Sequence, residues 1–216
     1  ATFGATGVTQ ITNPASPNTY SIDIAGGFGD TGSITSNIIT DDTVSVTGTV
    51  QQSFTFTIST STIYFGNLGS GGAKFASSTN PSGDTAETVA HELAVSTNAP
   101  SGFAMTVRGQ TLTSQQNALN TITAMGATAA SSTAGTEQFG IRVTESGGTG
   151  ITIDPTFSSA SSYGYDGTAT TSTLIATGSG STPTSTYDLR YVANINAITE
   201  AGTYAANLVY IATANF

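Results

Sequence analysis

The chain has 216 residues, of which only 8% are charged where an ordinary globular domain has about a quarter; it has no Cys and no Trp, and a formal net charge of -9. Lys74, Arg108, Arg142 and Arg190 are its only basic residues besides His91 and stand far apart, which argues against nucleic acid or an anionic membrane surface as partner. No apolar run approaches the roughly 18 residues of a membrane span, and absence of Cys removes disulfides and thiolate metal sites.

From the N-terminal end, residues 1–12 place Phe3, Ala5, Val8 and Ile11 among Thr and Gly, and a stretch with Pro14 and Pro17 separates them from the body of the chain. Proline fixes φ and biases the residue before it toward extended backbone, so this pattern predicts a strand on a stiff hinge. Twelve extended residues reach roughly 40 Å at about 3.3 Å each, far enough to lie in a neighbouring subunit or to form an edge strand of their own domain. The start at Ala1, without Met, is expected to reflect removal of a signal peptide.

Beyond the hinge, period two dominates. Across residues 43–58 Val44, Val46, Val50, Phe54, Phe56 and Ile58 share one parity, with Gly48 and Gln52 at the gaps as a bulge or break. Such alternation predicts a strand with one face on a core. Similar runs occur at 20–24, 63–65, 89–95, 103–107, 139–143, 151–153, 189–195 and 204–212, separated by Gly, Asn, Pro and Ser clusters such as 69–72, 80–83, 98–102 and 147–150. Many short strands joined by turns predict an all-β chain, an antiparallel β-sandwich of Ig-like or jelly-roll-like type, with residues 1–17 as an extension and 18–216 as one domain.

One segment departs from this pattern. Leu119, Ile122 and Met125 recur three apart and Gly126 follows as a stop, which predicts a short helix between residues 114 and 125. Residues 127–135 and 178–186, rich in Ser, Thr and small residues, are expected to be loops, the second also a candidate for O-glycosylation.

Candidate chemistry is sparse. His91 precedes Glu92, but adjacent strand residues point to opposite faces, and a zinc-protease pattern needs a second His where Val95 stands; a surface or turn-facing His91 is expected. No Gly-x-Ser-x-Gly elbow accompanies the many serines. A carboxylate pair for glycoside hydrolysis would ordinarily be joined by aromatic platforms, and Trp is missing. Asp41, Asp42, Asp154 and Asp166 sit in turn-like sequence, where an Asp side chain bonds to its own backbone; as Ca²⁺ ligands they lack the spaced loop pattern. Tyr163, Tyr165, Tyr187, Tyr191, Tyr204 and Tyr210 have the spacing of a strand core more than of a binding face. No catalytic, cofactor-binding or metal residue is therefore assigned, and an enzyme is not expected.

Several phrases carry a resemblance. Residues 63–69 (Ile-Tyr-Phe-Gly-Asn-Leu-Gly), 95–103 (Val-Ser-Thr-Asn-Ala-Pro-Ser-Gly-Phe), 137–141 (Glu-Gln-Phe-Gly-Ile), 201–204 (Ala-Gly-Thr-Tyr) and the terminal 211–216 together resemble secreted β-sandwich surface proteins of small-genome, largely uncultivated bacteria, over residues 44–216. The elements around Phe65-Gly66 and Ala201–Tyr204 are also similar to WxL-type cell-surface domains, although without Trp the motif that names that family is missing and its peptidoglycan-binding role is not carried over. A β-sandwich with a detachable N-terminal strand resembles donor-strand pili and matrix filaments.

The resemblance implies an extracellular structural subunit of a homopolymeric filament or pilus, with Phe3, Ala5, Val8 and Ile11 as donor-strand anchors, Pro14 and Pro17 as hinge, and adhesion or biofilm as its use. The alternative is a monomeric glycan-binding adhesin or surface-layer protein, with Ca²⁺ at loop carboxylates. A surface poor in charge suits packed subunits, which would otherwise desolvate those charges.

Overall fold

The computed structural model describes residues 14–39, 43–168 and 170–216. It divides into two compact units, Ala1–Val50 and Gln51–Phe216. Phe3, Ala5, Val8 and Ile11, expected from sequence as donor-strand anchors, lie outside the described residues, as do Asp41 and Asp42.

In the first unit, β1 (Asn18–Ala25) and β2 (Thr31–Ile38) form an antiparallel hairpin in which Ile22 faces Ile34 and Tyr20 faces Ser36. The turn between them contains Gly29 at φ +87°, a left-handed conformation that glycine takes without steric cost. Alternation gives the ribbon one face with Tyr20, Ile22, Ile24, Ile34 and Ile38 and another with Thr, Ser and Asp23. Pro14 and Pro17 are exposed just before β1.

The second unit is an all-β, antiparallel sandwich. One sheet runs β3 (Phe54–Ile58), β5 (His91–Thr97), β13 (Thr182–Asn194), β9 (Gln138–Ser146), β11 (Tyr163–Tyr165), β8 (Gly126–Ala130), with β4 (Lys74–Phe75) on β13. The other runs β10 (Ile151–Ile153), β12 (Thr173–Gly178), β6 (Phe103–Arg108), β15 (Val209–Ala214). A small ribbon pairs β7 (Thr113–Ser114) with β14 (Tyr204–Ala205).

Strands β5 and β6 follow each other in sequence but belong to different sheets, so residues 98–102 arch from one layer to the other. Between the layers Leu93, Val95, Tyr187, Leu189, Tyr191, Ile141 and Val143 meet Phe103, Met105, Val107 and Ile175, all buried. At roughly 1.5–3 kcal/mol for each large side chain taken out of water, this core is the main stabilising term.

Four sequence expectations change. Residues 113–125 contain no helix: Ser114 N–H donates to Asn120 O and Ile122 N–H to Leu112 O, while Asn120 N–H closes a turn on Asn117 O. Ser114 Oγ accepts from the N–H groups of Gln116 and Asn117, a local side-chain bond that competes with helix. Residues 178–186 are mostly strand β13, because Ser185 and Thr182 are buried with partners, Ser185 Oγ donating to Glu145 Oε1 and Thr182 Oγ1 accepting from Thr149 N–H. Strand β8 likewise occupies part of the expected 127–135 loop. Finally, among the described residues only Phe54–Ile58 of the long 43–58 alternation pairs in a sheet, and residues 43–50 have no assigned secondary structure.

Candidate functional site

His91 is buried, contrary to the surface position expected from sequence. Its parity on β5 aims it into the sandwich while Glu92 faces solvent, as the strand geometry requires. Its ring stacks on Tyr191 at 5.6 Å and meets the edge of Tyr210 at 5.6 Å. Nε2 lies 2.6 Å from the Tyr191 hydroxyl, which also bonds the Tyr210 hydroxyl.

Among the described residues Nδ1 of His91 has no partner, so the lower-cost tautomer carries its proton on Nε2 and donates to Tyr191, leaving Nδ1 as a bare acceptor. Burial lowers the His91 pKa to about 4, because the charged ring would lose its hydration there. Burial also raises both tyrosine hydroxyls above their ordinary range. The triad is thus neutral, and it ties β5 and β13 of one sheet to β15 of the other.

A second buried polar cluster lies on the outer side of β9. Arg142 Nε donates to Glu87 Oε1 at 2.8 Å, a further guanidinium nitrogen pairs with Glu87 Oε2, and Tyr163 OH donates to Glu87. Burial pushes the Glu87 carboxyl up, but hydrogen bonds from Arg142 and Tyr163 and the charge of Arg142 outweigh it and hold the pKa below its ordinary value. Both Glu87 carboxylate oxygens accept hydrogen bonds inside the cluster, which fits a clasp better than a catalytic group.

The fold gathers two of the motif stretches into one place. Residues 63–68, 199–206 and 208 line an apolar cleft of about 780 Å³ that includes Tyr64, Phe65, Leu68, Tyr204 and Leu208. Gly66 is required there: its φ is +65°, and a Cβ would meet the Ser82 carbonyl oxygen at 2.1 Å. Asn67, Thr203 and Glu200 add polar groups to the wall.

The two described candidate aspartates, Asp154 and Asp166, behave as turn residues. Asp154 Oδ1 accepts from Thr156 N–H at 2.9 Å and Asp166 Oδ1 from Thr168 N–H at 3.3 Å. Among the described residues no three His, Asp or Glu side chains converge on a metal-sized site.

The remaining feature is the sheet edges. Strands β3, β8, β10 and β15 end the two sheets, and none of the four contains a charged residue. Natural monomeric sheets commonly guard such edges with Lys, Pro or inward charges. Val44, Val46 and Val50, which sequence reasoning assigned to the core, stand 88%, 87% and 87% exposed. Their alternation is that of a strand with one face to bury, and nothing local distinguishes it from a core strand.

Fold and edges together define an all-β antiparallel sandwich with unguarded rims. No family model, curated protein or solved structure matches the chain.

Proposed function

We propose that the protein is a secreted structural subunit of a homopolymeric filament or pilus, assembled when a strand of one copy completes a sheet of the next. The observation that carries the reading is the set of four uncharged edge strands. An exposed sheet edge is a template for another strand, and strand addition supplies main-chain hydrogen bonds while alternate side chains enter pockets. Heterologous contacts of this kind grow into open filaments where the rotation between copies does not close a ring.

Phe3, Ala5, Val8 and Ile11 are proposed anchors, with Pro14 and Pro17 as hinge, and the filament is assigned to the cell surface in adhesion or biofilm. Catalysis has no part in this role. Electron microscopy of purified protein tests it. Regular fibres of one subunit type are expected, and dispersed monomers at high concentration would overturn the reading.

The cleft favours a second reading, a monomeric glycan-binding adhesin or surface-layer protein. Tyr64 and Tyr204 offer rings for sugar stacking beside the hydrogen-bonding groups of Asn67 and Glu200. Glycan-array binding lost on Tyr204→Ala would favour it over the polymer.

A further inference from the structure

Residues 43–50 contain no charge and take part in no sheet among the described residues. A single exposed Val is ordinary, but Val44, Val46 and Val50 on one parity mark a strand with one face to bury. The sandwich has the matching deficit. On β15 the inward residues Tyr210, Ala212 and Ala214 are only half-buried, although the inward residues of the adjacent β6 are fully buried. Phe54 and Phe56 of β3 are half-buried as well. Tyr210 touches His91 on β5, the neighbour of β3, so the two free edges flank the same side of the core.

We infer that residues 43–50 of one copy lie as an antiparallel strand along the free edge of β15 in a second copy, with Gly48 beside Tyr210 and Val46 beside Ala212. The inference rests on the strand-donation reading and adds to its N-terminal anchors a second donor segment, with a named acceptor edge.

Side-chain size sets the register. The donor's same-face positions 44, 46, 48 and 50 are Val, Val, Gly and Val; the acceptor's 214, 212 and 210 are Ala, Ala and Tyr. The one missing donor side chain thereby meets the one bulky acceptor, and a strand Gly commonly marks such a close approach. Val50 then falls near Leu208, in the wall of the apolar cleft. Neither strand brings a charge that would have to be desolvated.

Direction follows from where the segment leaves its own sandwich. Gln51 and Ser53 are tied to Asn98, and Asn215 next to the end of β15 is tied to Ser101 and Gly102 of the same arch. The donor therefore departs from the end of the body at which β15 finishes. Antiparallel insertion brings Val50 to the opposite end of the acceptor, so that successive copies face the same way. Parallel insertion would set two like ends together and stop growth after a pair.

The chain has no Cys, so an engineered pair reports the register cleanly. Directly opposed side chains in an antiparallel pair have Cβ atoms about 4.5–5.5 Å apart, close enough for a disulfide after small adjustment. Full-length protein with Val46→Cys and Ala212→Cys, oxidised under assembling conditions, is expected to give a ladder of covalent oligomers on a non-reducing gel, while Val46→Cys with Thr213→Cys, on the other face, gives little. Val46→Asp is expected to lower polymer mass roughly tenfold or more with circular dichroism unchanged. If the wild type forms fibres but the double variant Val46→Cys, Ala212→Cys gives no ladder, or only an internally linked monomer, the inference falls and the polymer reading stands. If the wild type forms no fibres, both fall.

Discussion

Asn98 holds Gln51 as though it were one more residue of a strand. Its side-chain amide donates to the Gln51 carbonyl at 2.7 Å and accepts from Ser53 N–H at 2.8 Å, while its backbone N–H donates to Ser53 O at 3.2 Å. The β3–β5 ladder ends at the Phe54 and Thr97 pair, so this side chain extends the pairing beyond the last β5 residue and sets the path of the chain there.

Replacing Asn98 with Ala removes two hydrogen bonds and leaves the Ser53 N–H and Gln51 carbonyl to water. A loss of about 1–2 kcal/mol is expected in urea unfolding. If the filament depends on this exit path, the same variant assembles more slowly than wild type at equal concentration.

Stability is expected to fall between pH 6.5 and pH 4 because of His91. Its ordinary pKa is 6.5 and burial lowers it to about 4 in the folded protein. Within that window the unfolded chain takes up a proton that the folded chain refuses, so stability is present above the upper value and is lost as pH falls. The contribution is roughly 3 kcal/mol at full extent. His91→Phe, which keeps a ring on Tyr191, should flatten this part of the profile; an unchanged slope in urea midpoints between pH 7 and pH 4.5 would count against it.

Glu87→Ala leaves the Arg142 guanidinium, whose side chain is 9% exposed, without its partner. We expect a cost of about 2 kcal/mol, below the roughly 3–5 kcal/mol of a fully buried pair because Glu87 remains partly in water. Arg142→Met in the same background should recover much of that loss, measured as a double-mutant cycle. Since the Glu87 pKa is depressed, its contribution is present above the ordinary carboxylate value of 4.5 and declines as pH falls through the folded value.

Gly102→Ala should be among the most damaging single methyl additions. Its φ is +71°, and a Cβ would lie 1.8 Å from the Gly178 carbonyl oxygen in the arch that joins the layers. A loss above about 2 kcal/mol, or failure to fold, is expected. Gly71→Ala meets nothing within 4 Å and needs no left-handed backbone, so it serves as the neutral comparison, within about 0.5 kcal/mol of wild type.

Strands were legible wherever apolar residues alternate on a pleat. Phe103, Met105 and Val107, or Tyr187, Leu189 and Tyr191, announce β6 and β13 directly, and every one of these side chains is buried. Residues 178–186 escaped because Ser185 and Thr182 satisfy their hydroxyls on Glu145 and Thr149, partners distant in sequence. The spacing of Leu119, Ile122 and Met125 suggested a helix for a different reason: a three-residue recurrence also arises in an irregular loop that buries Ile122 and leaves Leu119 exposed.

The burial of His91 illustrates the same limit on a single side chain. Its neighbours in sequence state which face of β5 it takes, but Tyr191 and Tyr210, which neutralise and enclose it, come from other strands.

By itself the sequence determined the all-β class, the parity of the strands and the scarcity of charge, because alternation and composition are local properties of the chain. Only the tertiary structure decided which alternating faces are covered. Val46 and Phe56 share one parity and one pattern, yet Phe56 lies beside Val95 of β5 while Val46 is bare to water. Burial depends on a partner strand supplied from elsewhere in the chain, and the pairing with β5 ends at Phe54, before it reaches Val46.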